Sequence, residues 1–567
     1  MTKPLYKVRE FDNIRELVDM SADLFGSRPA FEIKKKSGAT RLVSYKEYRE
    51  DINALSTALI DFGITDNCAA ICSDNCYEYC MLYLSAICSG GVIVPVDKEL
   101  FPADILGIIN ASESKILFVD SKILERLKDT DLGGIKLVCI GADNDTEEAE
   151  SFESFIGRGR KLIADGRELY KNITHDVNKL CTLLFTSGTT GVSKGVMLCQ
   201  KNFVFEVKAA MSVIKIYPED CGISILPFHH TFESALMIFI APYCGAKVTF
   251  CEGFKYVLRN MKEFNPSVFV AVPQVLETVH KRIMKEINKD KKTQAVFKVG
   301  VKLAKIGDKL HIDLKRVFFK QIQDTFGGNM RMIVCGGAAI DPQILEDFNT
   351  FGIKVIFGYG LTECAPLAII NNDKTNTTDT VGVPLPGVEA KIDCPDNDGI
   401  GEICVKGDMV MLGYYHNQEA TDEVIDKDRF FHTGDLGFKD ERGCYHISGR
   451  SKNVIVTSNG KNIYPEELEY HLGLSELVNS CMVEEVKNKK GEVEIHAQIF
   501  PEAEMISSIL GEAPSADEIK KVIKKVIDDV NDKLPGFKKI RSFSIRETDF
   551  IRTTAKKIKR DINKTDN

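Results

Sequence analysis

A repeated alternation of apolar strands and helical segments constrains the fold of this chain more than any other feature. Short apolar runs at 69–72, 91–96, 116–119 and 135–140 are separated by segments with helical spacing. Such alternation is typical of parallel β-sheets whose faces are covered by helices. With 567 residues, the chain is too long for a single hydrophobic core and should divide into domains. The pattern therefore predicts an α/β protein built on parallel sheets.

The charge and the cysteine content exclude several classes of protein. Lys and Arg total 74 and Asp and Glu total 82, and the net charge of −8 argues against a general nucleic-acid-binding protein. The 17 cysteines are scattered without a Cys-x-x-Cys pair, so they suggest neither a disulfide framework nor a zinc knuckle. So many thiols indicate a reducing compartment. Because the sequence shows neither a signal peptide nor about 18 consecutive apolar residues, we expect a cytoplasmic protein without a transmembrane helix.

Four cysteines, Cys68, Cys72, Cys76 and Cys80, fall at four-residue intervals. Two interpretations are open: they are ligands of a metal or iron–sulfur cluster, or they are small buried apolar residues. We favour the second, because Cys68 and Cys72 fall in a predicted strand while the others fall on a predicted helix.

A loop of small and hydroxyl residues follows the apolar run at 183–185. Glycines let backbone N–H groups approach an anion, hydroxyls add donors, and a lysine supplies a mobile positive charge. The Gly-x-x-Gly-x-x-Lys-Gly spacing differs from that of the common P-loop, which argues against a P-loop hydrolase. A flexible linker, the other alternative, has no reason to follow a buried strand. The predicted phosphate-binding residues are Thr186, Ser187, Gly188, Thr189, Thr190, Gly191 and Lys194.

A second candidate site lies at the end of the predicted strand at 354–357. The strand ends in small residues, an aromatic ring, a hydroxyl and a carboxylate. Small residues admit a ligand to the backbone, a tyrosine ring stacks on a base, and a carboxylate binds Mg²⁺. The alternative is an ordinary glycine-rich turn with a surface glutamate, but the phosphate loop earlier in the chain favours a nucleotide site. The residues concerned are Gly358, Tyr359, Gly360, Thr362 and Glu363.

Two other segments leave more than one interpretation open. The paired His229 and His230 follow a predicted strand, and paired histidines could bind a metal ion. No other His or Cys lies at a metal-ligand spacing, which argues against a metal site. The Lys-rich stretch at 281–320 carries interleaved apolar residues. It predicts either a solvated helical hairpin packed on the body of the protein, which we favour, or a basic amphipathic surface that rests on an anionic membrane.

Taken together, these motifs resemble those of the acyl-adenylate-forming superfamily, which includes acyl-CoA synthetases, firefly luciferase and nonribosomal peptide synthetase adenylation domains. The loop at 186–195 is similar to its phosphate-binding signature, and residues 359–363 are similar to its Tyr-Gly-x-Thr-Glu motif. The Leu-Pro-x-x-His-x-Phe-Glu run at 226–233 and the Val-Pro-Gln-Val-Leu-Glu run at 272–277 look closest to long-chain fatty acyl-CoA synthetases. The resemblance covers about residues 10–560, with the motifs in family order.

The resemblance implies roles for individual residues in the N-terminal part. Tyr359 would pack on adenine, Thr362 would contact the α-phosphate, and Glu363 together with Thr186 would bind Mg²⁺. His230 would form a wall of the acyl site. The residues that would line the adenine and acyl side are Gly336, Gly337 and Ala338.

Further roles are implied for the C-terminal part. Thr433-Gly434-Asp435 is similar to the ribose motif, in which Asp435 would accept hydrogen bonds from both ribose hydroxyls. Arg450 would reach the nucleotide, and Lys452 matches the hinge position between domains. Lys557 matches the catalytic lysine, although Lys556 stands where short-chain members usually have glycine, so the choice between the two lysines stays open.

The resemblance also implies the architecture and the activity. We expect an AMP-binding adenylation domain at 1–450 that contains a β-barrel-like subdomain at 381–449, and a small mobile α/β domain at 451–567. The expected activity is ATP- and Mg²⁺-dependent conversion of a fatty acid to acyl-AMP, followed by transfer to coenzyme A. The alternatives are an acyl carrier protein as acceptor, an aryl acid as substrate, and a degenerate protein that binds AMP or lipid without turnover. The oligomeric state is open.

Overall fold

The computed structural model describes residues 2–564, with gaps at 36–37, 187–193, 310–314, 458–460, 488–492, 512 and 553–557. The chain divides into two compact units. The first unit comprises Met1–Ala338, Pro342–Glu389 and Val405–Phe431, and the second comprises Ala339–Asp341, Ala390–Cys404 and His432–Asn567. The predicted α/β class is confirmed, with parallel sheets in the N-terminal region and a separate C-terminal region. The domain boundary at 450/451 stays a prediction.

One sheet of the first unit, which we call the N-terminal sheet, has eight strands among the described residues. Its central strands pair in parallel, and the two strands at one edge run antiparallel to their neighbours. In spatial order the strands are Gly413–Tyr414, Lys194–Cys199, Leu180–Thr186, Val92–Pro95, Cys68–Cys72, Ile116–Asp120, Lys136–Ile140 and Glu150–Ser151. The helices of this part of the chain are Ile14–Phe25, Tyr45–Phe62, Tyr77–Cys88, Pro102–Ala111, Ser121–Leu127, Phe152–Ala164, Leu169–Asn172 and Gln200–Met211.

Local sequence explains how one of these long helices begins and ends. The Ser44 hydroxyl accepts a hydrogen bond from the backbone N–H of Glu47, and the Glu47 carboxylate accepts one from the N–H of Ser44. This reciprocal cap satisfies two N–H groups that have no partner inside the helix. Gly63 ends the helix with φ 93°, a backbone angle that glycine adopts without strain.

The cysteines of the N-terminal sheet lie in its apolar interior. Cys68 and Cys72 lie on one strand, and Cys80 and Cys88 lie on the following helix, all of them buried. Burial raises the pKa of the Cys68 thiol to about 11 and that of the Cys72 thiol to about 12. These protonated thiols therefore fill space as small apolar groups, in line with the favoured interpretation.

The other sheet of the first unit, which we call the central sheet, has nine strands among the described residues. Its strand order is Val383–Pro384, Leu367–Ile370, Lys354–Gly360, Met332–Gly336, Val268–Ala271, Cys221–Ser224, Lys247–Phe250, Pro29–Lys34 and Thr40–Ser44. The inner strands are parallel, and both edges end in antiparallel pairs. The helical segments of this part of the chain are Thr231–Ser234, Ala235–Ile240 (a π-helix), Ala241–Cys244, Phe254–Tyr256, Val257–Phe264, Pro273–Ile287, Lys291–Lys309, Lys315–Phe318, Lys320–Thr325, Pro342–Thr350, Thr362–Cys364 and Gln418–Val424.

A four-stranded sheet lies mostly in the second unit. Its strands fall largely within residues 381–449, where the sequence predicts β-structure. Its strand order is Glu389–Asp393, Gly401–Lys406, Phe431–Lys439 and Tyr445–Arg450. The C-terminal part adds a pair of short strands, a three-stranded sheet and helices that share one apolar core. These elements are Ser451–Asn453, Ile455–Val456, Asn462–Ile463, Pro465–Gly473, Val478–Lys487, Val493–Pro501, Ala503–Leu510, Ala516–Asn531, Gly536–Lys538, Ser542–Ile545 and Arg560–Asn563.

Candidate active site

The predicted phosphate loop is held at both ends by a pair of antiparallel strands. Thr186 ends one strand and Lys194 begins the next, and the two residues pair directly across the ladder. The Thr186 hydroxyl also donates a hydrogen bond to the backbone carbonyl of Lys194, at 3.4 Å. The predicted loop residues Ser187, Gly188, Thr189, Thr190 and Gly191 lie outside the described residues.

Tyr414 joins the phosphate-loop strands to the predicted magnesium ligand. Its hydroxyl donates a 2.9 Å hydrogen bond to Oε1 of Glu363, and Lys194 Nζ lies 4.8 Å from the centroid of its ring. Tyr414 reaches this position because its strand pairs with Lys194–Cys199 in the N-terminal sheet. The backbone N–H of Met411 also donates to the carbonyl of Glu363, at 2.8 Å. The structure therefore brings Lys194 and Glu363 to the same tyrosine, with Thr186 beside Lys194.

Tyr414 is a site residue that the sequence motifs do not identify. A Gly-Tyr pair is common in strands and turns, and the predicted site residue that Tyr414 contacts, Glu363, lies 51 positions away in the sequence. Only the pairing of strands from distant parts of the chain reveals the contact. The side chain is nearly buried, at 8% exposure, so its hydroxyl is held in a defined place.

The predicted adenine residues lie where the strand Lys354–Gly360 ends. Tyr359 is nearly buried, and Thr362 and Glu363 occupy the turn that follows the strand. Gly360 allows the next segment to pass close by, because a Cβ there would lie 1.9 Å from the carbonyl oxygen of Pro366. Glycine is therefore required at this position by the protein's own backbone, whereas the sequence predicts that it is required by the approach of a ligand.

The predicted turn at Gly336, Gly337 and Ala338 follows the neighbouring strand Met332–Gly336. Gly336 pairs with Gly358 across the parallel ladder, so the turn begins beside the strand that ends at Tyr359 and Gly360. Gly337 has φ 90°, in the left-handed region that favours glycine. Gly337 and Ala338 are both exposed, whereas Gly336 is buried. The structure therefore places this turn and the adenine motif at the carboxyl ends of adjacent parallel strands, the edge at which α/β sheets bind ligands.

The histidine-containing loop is fixed by polar groups from other elements. The Asn75 side-chain amide donates to Ser224 Oγ and to the Leu226 carbonyl, each at 2.7 Å, and accepts from the Phe228 N–H at 3.0 Å. Glu233 is fully buried and accepts from the Ile225 N–H at 2.9 Å. Burial raises the pKa of Glu233 to about 8, so the group is mainly protonated at neutral pH.

The two histidines differ in their surroundings. The centroids of their rings lie 4.2 Å apart, and His230 immediately precedes the short helix Thr231–Ser234. The His229 side chain is largely buried, at 13% exposure, with Nε2 3.5 Å from Asp97 Oδ2. Burial, with a smaller contribution from His230, lowers the pKa of His229 to about 3, so this imidazole is neutral. The structure therefore makes His229 a neutral buried group and leaves His230 as the predicted wall of the acyl site.

A small apolar cavity of about 40 Å³ lies beside this loop in the first unit. Phe232, Val270 and Leu367 are among the apolar residues that line it. The one acidic lining residue is Glu206, which is 2% exposed, and its Oε2 has no hydrogen-bond partner among the described residues. Burial raises the pKa of Glu206 well above its ordinary value, so the side chain is a neutral acid. Sequence analysis did not single out Glu206.

In the second unit, the predicted ribose carboxylate pairs with the predicted nucleotide arginine. Asp435 and Arg450 face each other on neighbouring antiparallel strands, and Arg450 Nε lies 2.7 Å from Asp435 Oδ1. Asp435 is nearly buried, whereas the Arg450 side chain is about half exposed, at 46%. Lys452 lies in the short helical turn Ser451–Asn453. Lys557 and Lys556 lie outside the described residues.

A family model and the curated relatives of this chain point to the same class of enzyme. A family model described as AMP-binding enzyme matches residues 18–415. Fatty acyl-CoA synthetase A of Dictyostelium discoideum is 30% identical over 482 residues, which cover 81% of this chain and 72% of that protein. Long-chain-fatty-acid–CoA ligase 6 of Mus musculus is 29% identical over 488 residues, which cover 78% of this chain and 68% of that protein.

Solved structures share the fold at lower sequence identity. An anthranilate CoA ligase, AuaEII, in complex with anthranoyl-AMP superposes with a TM-score of 0.76 at 18% identity, covering 97% of this chain and 96% of that one. ATP-bound MatB from Rhodopseudomonas palustris superposes with a TM-score of 0.73 at 23% identity, covering 97% of this chain and 98% of that one. At these identities the likeness shows the fold alone.

Proposed function

Because the chain belongs to the family of AMP-binding enzymes, we propose that it is a fatty acyl-CoA synthetase. It uses ATP and Mg²⁺ to convert a fatty acid to acyl-AMP with release of pyrophosphate, and it then transfers the acyl group to the thiol of coenzyme A. The observation that carries this proposal is the 30% identity to a fatty acyl-CoA synthetase over 81% of the chain.

The first half-reaction requires charge neutralisation more than an enzyme nucleophile. A carboxylate is a poor acyl donor because its leaving group would be oxide, and joining it to AMP supplies a good leaving group. The substrate carboxylate itself attacks the α-phosphorus, so the protein must position two negatively charged reactants and relieve their repulsion. Lys194 would bind the outer phosphates, and Lys557 would lie between the carboxylate and the α-phosphate.

The oxygen ligands near Lys194 suit a magnesium ion. Mg²⁺ prefers carboxylate and other oxygen ligands together with substrate phosphates. Glu363 supplies a carboxylate that Tyr414 orients, and Thr186 supplies a hydroxyl next to Lys194. When bound, the ion would neutralise charge on the phosphates. Thr186 and Glu363 are therefore the proposed magnesium ligands.

The remaining roles concern recognition of the nucleotide. We assign Tyr359 to adenine and Thr362 to the α-phosphate. Asp435 would accept from both ribose hydroxyls, and its ion pair with Arg450 supports this assignment because it holds the carboxylate in a defined orientation. Lys452 would serve as the hinge between the proposed domains at 1–450 and 451–567.

The acyl chain would lie on the side of His230 and the apolar cavity. Phe232 and Leu367 give the cavity an apolar surface, which suits a hydrocarbon chain better than a charged group. A medium- or long-chain fatty acid is therefore the proposed substrate, with an aryl acid as the alternative.

The decisive experiment is pyrophosphate release with ATP and Mg²⁺ across a panel of carboxylic acids, with and without coenzyme A. We expect release that depends on a fatty acid and increases with coenzyme A. Release that is indifferent to coenzyme A but increases with an acyl carrier protein would replace the proposed acceptor. Release only with aryl acids would replace the substrate, and no release with any acid would contradict the proposal in favour of a binding protein.

We also propose that the protein touches anionic membranes through its Lys-rich helices. The helix Lys291–Lys309 exposes Val296 at 65% and Val299, between exposed lysines such as Lys298, and the next helix exposes Val317 at 70%. Exposed apolar side chains among lysines suit the boundary between headgroups and acyl chains of a negatively charged bilayer. Within the described ranges, the length and hydropathy needed for a bilayer-crossing helix are not met.

Vesicle sedimentation tests this contact. The protein should sediment with phosphatidylserine-containing vesicles at low salt and remain in solution with phosphatidylcholine alone, because the attraction is largely electrostatic. The double variant V296D/V317D should lose binding, whereas the matched control L24D, which charges an exposed leucine elsewhere, should retain it. Equal sedimentation of all three proteins, or none with the wild type, would contradict the proposal. A cytoplasmic location, inferred from the cysteine content, remains a proposal as well.

A further inference from the structure

Four side chains with metal-binding atoms meet on three adjacent strands of the second unit. Asp393 ends the strand Glu389–Asp393, Glu402 and Cys404 lie on Gly401–Lys406, and His432 lies on Phe431–Lys439. The strand order places Gly401–Lys406 between the other two. Cys404 is fully buried, whereas the side chains of Glu402 and His432 are about a quarter exposed. The group therefore has a buried sulfur on one side and an approach from solvent on the other.

The ligand atoms are close enough to share one ion. Cys404 Sγ lies 3.4 Å from His432 Nδ1, and Glu402 Oε2 lies 2.9 Å from the same nitrogen. Single ligand atoms of Asp393, Cys404 and His432 all lie within 4.8 Å of one another. A tetrahedral zinc ion, with bonds of about 2.3 Å to sulfur and about 2.05 Å to nitrogen, separates those two atoms by about 3.5 Å. The observed sulfur–nitrogen distance thus fits zinc with almost no movement.

The charges in this group also call for a cation. The Glu402 carboxylate and the Cys404 thiol both approach His432 Nδ1, which can donate at most one proton to them, and the Asp393 carboxylate lies nearby. Lys391 Nζ lies 3.4 Å from Asp393 Oδ1, on the outer side chain of the group. A divalent ion bound by Asp393, Cys404 and His432 would neutralise negative charge in the group and allow Cys404 to bind as a thiolate.

We propose that Asp393, Cys404 and His432 bind a zinc ion. Thiolate and imidazole ligands favour zinc over Mg²⁺ or Ca²⁺, which prefer sets made of oxygen alone. Because the three ligands lie on adjacent strands of one sheet, the ion would brace that sheet, and the role assigned to it is structural. The backbone N–H of Gly434 donates to Glu402 Oε1 at 2.8 Å, so the ion would stiffen the turn that precedes Asp435. This site is separate from the proposed acyl-CoA synthetase chemistry and does not depend on it.

Metal binding by the full-length protein tests the site directly. After exposure to excess zinc and desalting, the wild type should retain one zinc per chain, measured by elemental analysis. C404A and D393N should each bind zinc more than about tenfold more weakly in a chelator competition. C481A is the matched control, because it removes another buried thiol of the second unit and should bind zinc like the wild type.

Cobalt substitution identifies the ligand. The wild type and C481A loaded with Co²⁺ should show a thiolate-to-cobalt charge-transfer absorption band, and C404A should not. D393N changes a partly exposed carboxylate, so it keeps the test valid if C404A folds poorly. The proposal would be overturned if the wild type retains no zinc, or if D393N, C404A and C481A bind zinc with equal affinity. The four side chains would then form an ordinary hydrogen-bonded cluster.

Discussion

Tyr414 lies on a strand that pairs with the strand following the phosphate loop, and its hydroxyl donates a hydrogen bond to the carboxylate of Glu363. A hydrogen bond to a carboxylate is stronger than one between neutral groups, and it contributes about 1.5–3 kcal/mol. The same ring lies beside Lys194 Nζ, an arrangement that attracts the ammonium group to the aromatic face. Tyr414 therefore acts as a positioning residue for two groups that the proposed reaction needs.

Tyr414→Phe separates the two interactions, because it keeps the ring and removes the hydroxyl. The Mg²⁺ concentration for half-maximal pyrophosphate release should rise about tenfold, since about 1.4 kcal/mol corresponds to a factor of ten. The maximal rate at saturating Mg²⁺ should recover to within a few-fold of the wild type. The measurement is the rate of pyrophosphate release as a function of Mg²⁺ at fixed ATP and fatty acid.

Tyr415→Phe is the control, because it makes the same chemical change one residue further along the chain. Its Mg²⁺ dependence should match that of the wild type. If Tyr414→Phe also leaves the Mg²⁺ dependence unchanged, then the hydrogen bond to Glu363 has no part in positioning the magnesium ligand.

At the scale of elements, the loop between the strand Cys221–Ser224 and the helix Thr231–Ser234 carries His230 and depends on buried polar contacts. Glu233 holds the start of this loop through the Ile225 N–H, and Asn75 holds its middle. Both contacts are at least partly shielded from water, where an unsatisfied backbone N–H is costly. The loop that carries His230 is consequently anchored at two points.

Glu233→Gln should change how stability depends on pH. The pKa of Glu233 is raised to about 8 in the folded protein, so the folded state holds this proton more tightly than the unfolded chain does. The resulting stability is fully present below the ordinary glutamate pKa and is lost as the pH rises through about 8. Between these values the wild type should lose up to about 1.4 kcal/mol per pH unit from this group.

Urea unfolding midpoints at pH about 5 and about 9 measure this effect, since the window is set by the two pKa values. The neutral glutamine cannot ionise, so the variant should lose less stability than the wild type between the two conditions. The conservative variant keeps a side-chain oxygen for the Ile225 N–H. Parallel pH profiles for the two proteins would show that Glu233 does not titrate in this range.

Elements that depend on local sequence could be predicted, and pairings between distant elements could not. The strands at 69–72 and 116–119 follow from short apolar runs, and Thr186 and Lys194 lie close together because only a short loop separates them. The pairing of Phe31 with Val248 joins segments more than two hundred residues apart, and nothing local encodes it. Tyr414 reaches its place through such a long-range pairing, and Asn75 makes hydrogen bonds to residues 149 to 153 positions away, which is why the sequence did not reveal either contact.

At the scale of the whole molecule, the two half-reactions place different demands on the C-terminal domain. The family resemblance implies that Lys557 serves adenylation and that the domain then turns about Lys452 so that the thiol can reach the acyl-AMP. A hinge absorbs such motion through changes in a few backbone angles. A substitution that fixes those angles should therefore affect one half-reaction more than the other.

Lys452→Pro should slow transfer of the acyl group to coenzyme A at least about tenfold, because proline fixes φ and restricts the preceding residue. Pyrophosphate release in the first turnover should stay near the wild-type rate. Lys452→Ala is the control, since it removes the charge and keeps the backbone free, and it should support both half-reactions. Thioester formation at the wild-type rate in Lys452→Pro would contradict the assignment of the hinge.

Lys557→Ala should show the reverse pattern. Removing a positive charge that stabilises the transition state typically costs about 100-fold or more in rate, so pyrophosphate release should fall by at least that factor. Transfer to coenzyme A from supplied acyl-AMP should remain within a few-fold of the wild type, because Lys557 is not needed once the adenylate exists. Lys556→Ala is the matched control and decides between the adjacent lysines: a large loss of adenylation in it, with normal adenylation in Lys557→Ala, would move the catalytic role to Lys556.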